Sequence, residues 1–474
     1  MNKKRIIVLL LGFILLFSSA VLPQQEKKPL HAPNALPGVE PEMLTPEYWI
    51  GRMDDPDEVI MTPAEIERFN EKVRTKKVVF RERFGRPDPL ERGFAGDIKN
   101  GRFMNPLLPL ELPKTLPGDS LRVWLKDITD YLYSQDFYDN RNVTWSEDMC
   151  RKLLEKTNTD AIPDVITRRF GIIVNHVNMR LFPTSVPGYS DTLWELDRFQ
   201  ATGVCLGNPV AVLHQSLDGD FYYVQTPIAR GWIASRDIAL ASKEKIRELV
   251  KDTNVLMATG HKIPVYSDPA CRNFARYFYY SATMPLIRRA GTGFVVKMPI
   301  RATDGSLNVV NGYVKPDADV HVGHLPYTKR NVITQLFKLL NTPYGSRDAN
   351  NRRSCSGTMR VLIRCFGIIA GRTPSVLLSA PDHQAYIDPS LSTEEKMAVA
   401  AKLEPFVTMA GSPGHIVLYI GKGHTGKLYF MHQAGWGYED ENGDHLFVNR
   451  TSINAADHSW YHINTPRVFA TFRK

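Results

Sequence analysis

Three side chains in the last third of the sequence have types and spacing suited to nucleophilic catalysis: Cys355, His415 and His432. Cys355 stands where the polar run Arg353-Ser354 gives way to Ser356-Gly357 and then to the apolar stretch Met359–Phe366. That pattern puts the thiol in the first turn of a helix. Free backbone N–H groups and the positive end of the helix dipole favour a thiolate there, and the same groups can receive an oxyanion. Downstream, Gly414–Gly421 alternates so that His415, Val417 and Tyr419 share a face, and Leu428, Phe430 and His432 do so in the next run. A hairpin centred near residue 424 sets Ile420 opposite Leu428 or Lys427, and sets His415 opposite or diagonal to His432, within roughly 5–8 Å. One imidazole would then take the thiol proton while the other holds the first ring in place.

The elements that must position these groups come from the rest of the chain. It has 474 residues, 43% hydrophobic and 23% charged, which is a globular balance and excludes collagen-like, disordered and polytopic membrane chains. The N-terminus reads as a signal peptide over residues 1–22, with basic Lys3-Lys4-Arg5, an apolar run from Ile6, and small residues ending at Ala20. The formal charge is +9; with those three basic residues removed it is about +6, a weak attraction for an anionic polymer or surface. No basic stripe interleaved with aromatics accompanies it, so nucleic acid is not an expected partner.

Residues 23–167 are rich in proline and charge and read as a segment wrapped around something else. Thr62-Pro63-Ala64-Glu65 marks a capped helix within it, and further helices are expected at Leu121–Ser134 and at Trp145–Lys156, the last opened by Thr144-Trp145-Ser146-Glu147. Residues 168–242 form short β-rich runs ending in Gly231-Trp232, expected to close a small barrel, and residues 243–325 read as a second, less regular one. Their aromatic runs, Phe221-Tyr222-Tyr223 and Tyr277–Tyr280, suit period-two barrel core better than carbohydrate platforms. Residues 326–474 are mixed helix and strand. Five cysteines are too few for a disulfide scaffold and leave at least one thiol free. Cys365 is expected to be a buried apolar filler. His424, His445, His458 and His462 have no metal-ligand spacing, so neither a metal nor any other cofactor is expected.

The order Pro343-Tyr344-Gly345, Ser354-Cys355-Ser356-Gly357, Phe366-Gly367-Ile368, Gly414–Gly421 and Met431-His432 resembles the NlpC-type cell-wall cysteine peptidases, a papain-like fold. The upstream organisation resembles the subfamily with an N-terminal stabilising segment and two bacterial SH3-like domains. The resemblance implies a multidomain α+β chain in which SH3-like β-barrels precede a papain-like peptidase domain. It implies an exported monomer, periplasmic or secreted, with no membrane anchor after signal cleavage. Its substrate would be peptidoglycan stem peptides or muropeptides, cut at the γ-D-glutamyl–diamino acid bond. Cys355 would be the nucleophile, His415 the base and then acid, and His432 the orienting ring, with Tyr344, Ser354 and Ser356 lining the substrate or oxyanion pocket. Two positions depart from the family pattern: Ser354 stands where an aspartate is usual, and Ser346-Arg347-Asp348 replaces Trp-Gly-Gly. Both bear on peptide recognition more than on reaction type. The alternatives are a wall-binding protein with impaired turnover, and an acyltransferase or amidase on the same fold.

Overall fold

The computed structural model describes residues 30–31, 33–75, 107–190 and 196–473, apart from positions 292, 370, 413, 436, 440–444 and 458–465. The expected signal peptide, His458 and His462 lie outside the described residues. Among those described, no helix is long and apolar enough to cross a membrane.

The early helices are α1 (Pro63–Thr75), α2 (Gly118–Leu132) and α3 (Glu147–Lys156). Thr62 and Glu65 make the expected reciprocal cap, with Thr62 N–H donating to Glu65 at 2.9 Å and Glu65 N–H to Thr62 Oγ1 at 3.3 Å. The cap of α3 is Ser146, whose side chain accepts from Met149 N–H, so the helix starts two residues later than expected.

Strands β1 (Arg169–Ile173), β2 (Val177–Arg180), β3 (Gln200–Val204), β4 (Pro209–Gln215), β5 (Phe221–Gln225), β6 (Arg230–Ala234) and β7 (Ile238–Ala241) form one sheet, ordered β7-β1-β4-β5-β6-β2-β3. Alternation sends one face of each strand inward. Trp232 is fully buried opposite Tyr223, with ring centroids 5.3 Å apart. A second sheet comprises β8 (Val255–Ala258), β9 (Lys262–Tyr266), β10 (Phe274–Tyr279), β11 (Thr283–Ala290), β12 (Gly293–Arg301), β13 (Leu307–Val314) and β14 (Val320–Val322). Its order is β10-β9-β13-β12-β11-β8-β14. Each sheet has its own buried cluster, with Phe137, Cys150, Leu153, Phe182 and Phe199 among those in the first and Leu256, Phe278, Met284 and Met298 among those in the second. Of the two aromatic runs, Tyr222, Tyr223, Phe278 and Tyr280 are buried.

The C-terminal part includes helices α4 (Lys329–Lys338), α5 (Cys355–Arg364) and α6 (Thr393–Ala400), and a six-stranded sheet. Its strands are β15 (His383–Tyr386), β16 (Thr408–Ser412), β17 (His415–Lys422), β18 (Leu428–Ala434), β19 (Arg450–Ala455) and β20 (Val468–Thr471). The order β15-β20-β16-β17-β18-β19 places β17 and β18 inside the sheet, and the pairings are antiparallel.

The proline-rich lead does what its composition implies. Leu36, Val39, Met43, Trp49, Met61, Ile66 and Val73 belong to the same apolar cluster as Cys355, Met359, Leu418 and Met431. Trp49 is fully buried, donates to Met43 C=O at 2.8 Å, and sets its edge against Phe406 and Tyr429. Tyr429 in turn donates its hydroxyl to Gly38 C=O at 2.9 Å. The lead therefore supplies core to the C-terminal sheet.

Candidate active site

Cys355 opens α5 and is 9% exposed. The helix starts there because Ser354 caps it: the Ser354 hydroxyl accepts from Gly357 N–H at 3.2 Å. That hydroxyl also donates to Asp348 Oδ1 at 2.8 Å, and Ser354 N–H donates to the same oxygen at 2.8 Å. The other oxygen, Oδ2, accepts from Arg360 Nη2 at 2.8 Å, one and a half turns along α5. Asp348 thus clasps the start of the helix from outside. The fit is close: a Cβ at position 357 would lie 1.9 Å from Asp348 Oδ1, which explains the glycine.

Asp348 is itself held in an uncommon conformation. Arg347, Asp348, Asn350 and Asn351 have φ of 52°, 61°, 54° and 61°, a left-handed run that costs free energy for residues with a Cβ. The first β-sheet holds it there. Arg347 donates to the carbonyls of Arg198 and Gln200 at 3.1 and 2.9 Å, and Asn178 and Asn350 exchange two bonds at 2.8 and 2.9 Å.

The histidines meet on the β17–β18 hairpin. Leu418 pairs with Met431, and the same register carried back sets Val417 opposite His432 and His415 one diagonal away. The register differs from the expected one: Lys422 rather than Ile420 faces Leu428, Gly421 faces Tyr429, and Ile420 lies in a bulge. The diagonal survives because the bulge restores the facing. His415 Nε2 and His432 Nδ1 are 2.8 Å apart, with ring centroids at 5.1 Å. Both rings are buried, at 3% and 2% exposure. Helix α5 packs on this hairpin, and the N–H of Ile416, next to His415, points at the Cys355 sulfur along with those of Ser356 and Cys355.

Burial dominates the electrostatics and overturns one expectation. It pushes the Cys355 thiol up to about 11, against the three N–H groups that favour a thiolate. Burial also drives His415 well below the ordinary histidine value and His432 down to about 4. Burial thus favours the uncharged form of all three groups.

The remaining expected residues are near. Tyr344 packs over Gly435, and both burial and its nearness to Cys355 keep its phenol protonated. Ser356 is buried next to Cys355 in the chain. Ser354 is engaged inward as the cap. Cys365 is fully buried and donates to Val361 C=O, an apolar filler as expected. His424 faces Tyr48 and Glu40, away from this site. Neither the clasp by Asp348 nor its pairing with Arg360 is expected from sequence. The available signal was an arginine inside an apolar helix, a residue type that is rarely buried without a partner.

Comparison with known proteins agrees with this architecture. Residues 191–234 match the model of an SH3 domain of the SH3b1 type. An NlpC/P60 endopeptidase from Photobacterium damselae subsp. piscicida is similar in structure, with a TM-score of 0.70 at 16% identity, covering 89% of this chain and 96% of that one. An NlpC/P60 family protein from Bacillus cereus aligns with a TM-score of 0.47 at 15% identity, over 64% of this chain and 100% of that one. No curated protein matches the sequence. In fold, the chain is of the NlpC/P60 type with bacterial SH3-like barrels, and the expected α+β multidomain class is observed.

Proposed function

We propose that the protein is an exported cysteine endopeptidase that cuts the γ-D-glutamyl–diamino acid bond of peptidoglycan stem peptides or muropeptides. The observation that carries the reading is the 2.8 Å contact between two buried histidines on the hairpin that packs against the Cys355 helix. With His415 Nε2–H donating to His432 Nδ1, the lone pair of His415 lies on Nδ1 and receives the thiol proton as sulfur attacks the amide carbonyl. A neutral imidazole is needed for that step, and burial keeps it neutral. The N–H groups at the start of α5 and the protonated Tyr344 hydroxyl stabilise the oxyanion. His415 then protonates the departing diamino-acid amine, and water hydrolyses the thioester. Ser356 lines the pocket. The barrel contacts on residues 347–350 narrow access, which favours short stem peptides over intact wall.

Mass spectrometry of products from L-Ala-γ-D-Glu-diaminopimelate tests this. Release of L-Ala-D-Glu by the native chain and none by Cys355→Ala is the expected result; no release by either refutes it. The thiol's burial and its raised pKa favour a second reading, a wall-binding protein without turnover. Pull-down on purified sacculi with no cleavage products would establish that one.

A further inference from the structure

A second sulfur lies apart from the proposed nucleophile. Cys205, just beyond β3, lines a cavity of about 310 Å³ where the two barrels and the C-terminal part meet. The walls come from Cys205–Pro209, from Ser281–Pro285, and from Arg360, Arg364 and Gly367–Ile369. Arg364 is the last residue of α5, so some nine residues of helix, roughly 13 Å of rise, separate this place from Cys355. Its Nη2 donates to the Cys205 sulfur at 3.4 Å and its Nε to Ser281 Oγ at 3.0 Å.

One further group is unsatisfied. Arg360 is 9% exposed, lines the cavity, and has a buried Nε with no hydrogen-bond partner. The His176 ring lies beside the sulfur and interacts with it. Burial raises the Cys205 thiol, but the Arg364 guanidinium and the His176 ring outweigh it and hold it at about 5, with Arg353 and Tyr279 also facing the sulfur. The other wall charges are matched within the protein, Arg360 by Asp348 and Lys297 by Asp252. Among the described residues, Arg364 forms no salt bridge with a carboxylate, and its guanidinium faces the sulfur.

We propose that Cys205 is a second reactive cysteine, separate from Cys355, that forms a mixed disulfide with a small anionic disulfide seated in this cavity. The thiolate attacks one sulfur of R–S–S–R, the S–S bond breaks, and R–S⁻ leaves and takes a proton from water. The step removes the negative charge that Arg364 faces. A carboxylate on the retained half restores it and can also meet Arg360 Nε, so an anionic partner fits where a neutral one leaves a buried cation uncompensated.

The test uses the full chain carrying Cys355→Ala, so that turnover plays no part. It is treated with 5,5′-dithiobis(2-nitrobenzoate) or with neutral 2-hydroxyethyl disulfide, each rate normalised to that of a free small thiol. Peptide mapping should place the first equivalent on Cys205, and the anionic reagent should hold a normalised advantage of about tenfold or more. Arg364→Gln should abolish that advantage and Arg364→Lys should retain part of it. First labelling at Cys150, Cys271 or Cys365, a Cys205 rate no faster than in the denatured chain, or equal normalised rates for the two reagents would overturn the proposal. The reagent comparison stands alone should the arginine variants not fold.

Discussion

Replacing Asp348 with alanine removes the acceptor of two bonds from Ser354 and the counter-charge of Arg360, in a pair whose side chains are 9% and 10% exposed. Breaking a buried pair by deleting one partner costs about 3–5 kcal/mol, mostly through the charge left behind. The loss falls first on the loop and the first turn of α5, because the left-handed run at 347–351 is strained and its contacts are what hold it. At about 1.4 kcal/mol per decade, the amides of Ser354 and Gly357 should exchange with solvent about 10²–10³ times faster. Hydrogen exchange read by mass spectrometry over residues 353–360 measures this directly. Asp348→Asn keeps an acceptor for Ser354 but not the charge, and should fall between native and alanine. Arg360→Met combined with Asp348→Ala should recover part of the loss, since no buried cation then remains. Exchange in Asp348→Ala within threefold of native would refute the clasp.

Gly357→Ala should mimic Asp348→Ala in that exchange assay, because its Cβ would lie 1.9 Å from Oδ1. Stability should fall as pH drops from 6.5 toward 4: the unfolded His432 ring gains a proton near 6.5 while the folded ring refuses it until about 4, a loss of roughly 3 kcal/mol at full extent. Urea midpoints across that range check it, and His432→Gln should flatten the slope. Trp49→Ala, which empties a fully buried site, should cost about 3–5 kcal/mol, read by thermal unfolding with the Cys355 region as reporter. Asn178→Ala should raise KM for a tripeptide more than it lowers kcat, since the bonds it loses position the 350 region rather than the reacting atoms.

The site was legible where chemistry follows local pattern. A polar run entering an apolar helix located Cys355, and period-two alternation put both histidines on one hairpin. The hairpin register was not legible, since a bulge at Ile420 leaves no mark in hydrophobic alternation. Asp348 was invisible as a clasp for a different reason: its position depends on four left-handed residues stabilised by β3 and its surroundings, more than 140 residues away in sequence. The thiol's state was misjudged because helix-terminal N–H groups can be inferred from sequence and the depth of burial cannot. The proline-rich lead was readable as a wrap through composition alone, while its partner, the core around Trp49, needed the fold.

The contact between the first barrel and the 347–350 loop has a consequence for how this architecture can be taken apart. An SH3-type barrel is usually pictured as a detachable tether that carries a catalytic module to a surface. Here the edge at 198–200, together with Asn178, acts as a splint on the segment that caps the Cys355 helix. Grafting the C-terminal part onto another anchor would therefore transfer the Cys355 helix without the brace on the loop that caps it. The unit that can be moved intact is the barrel edge, the loop and the helix together.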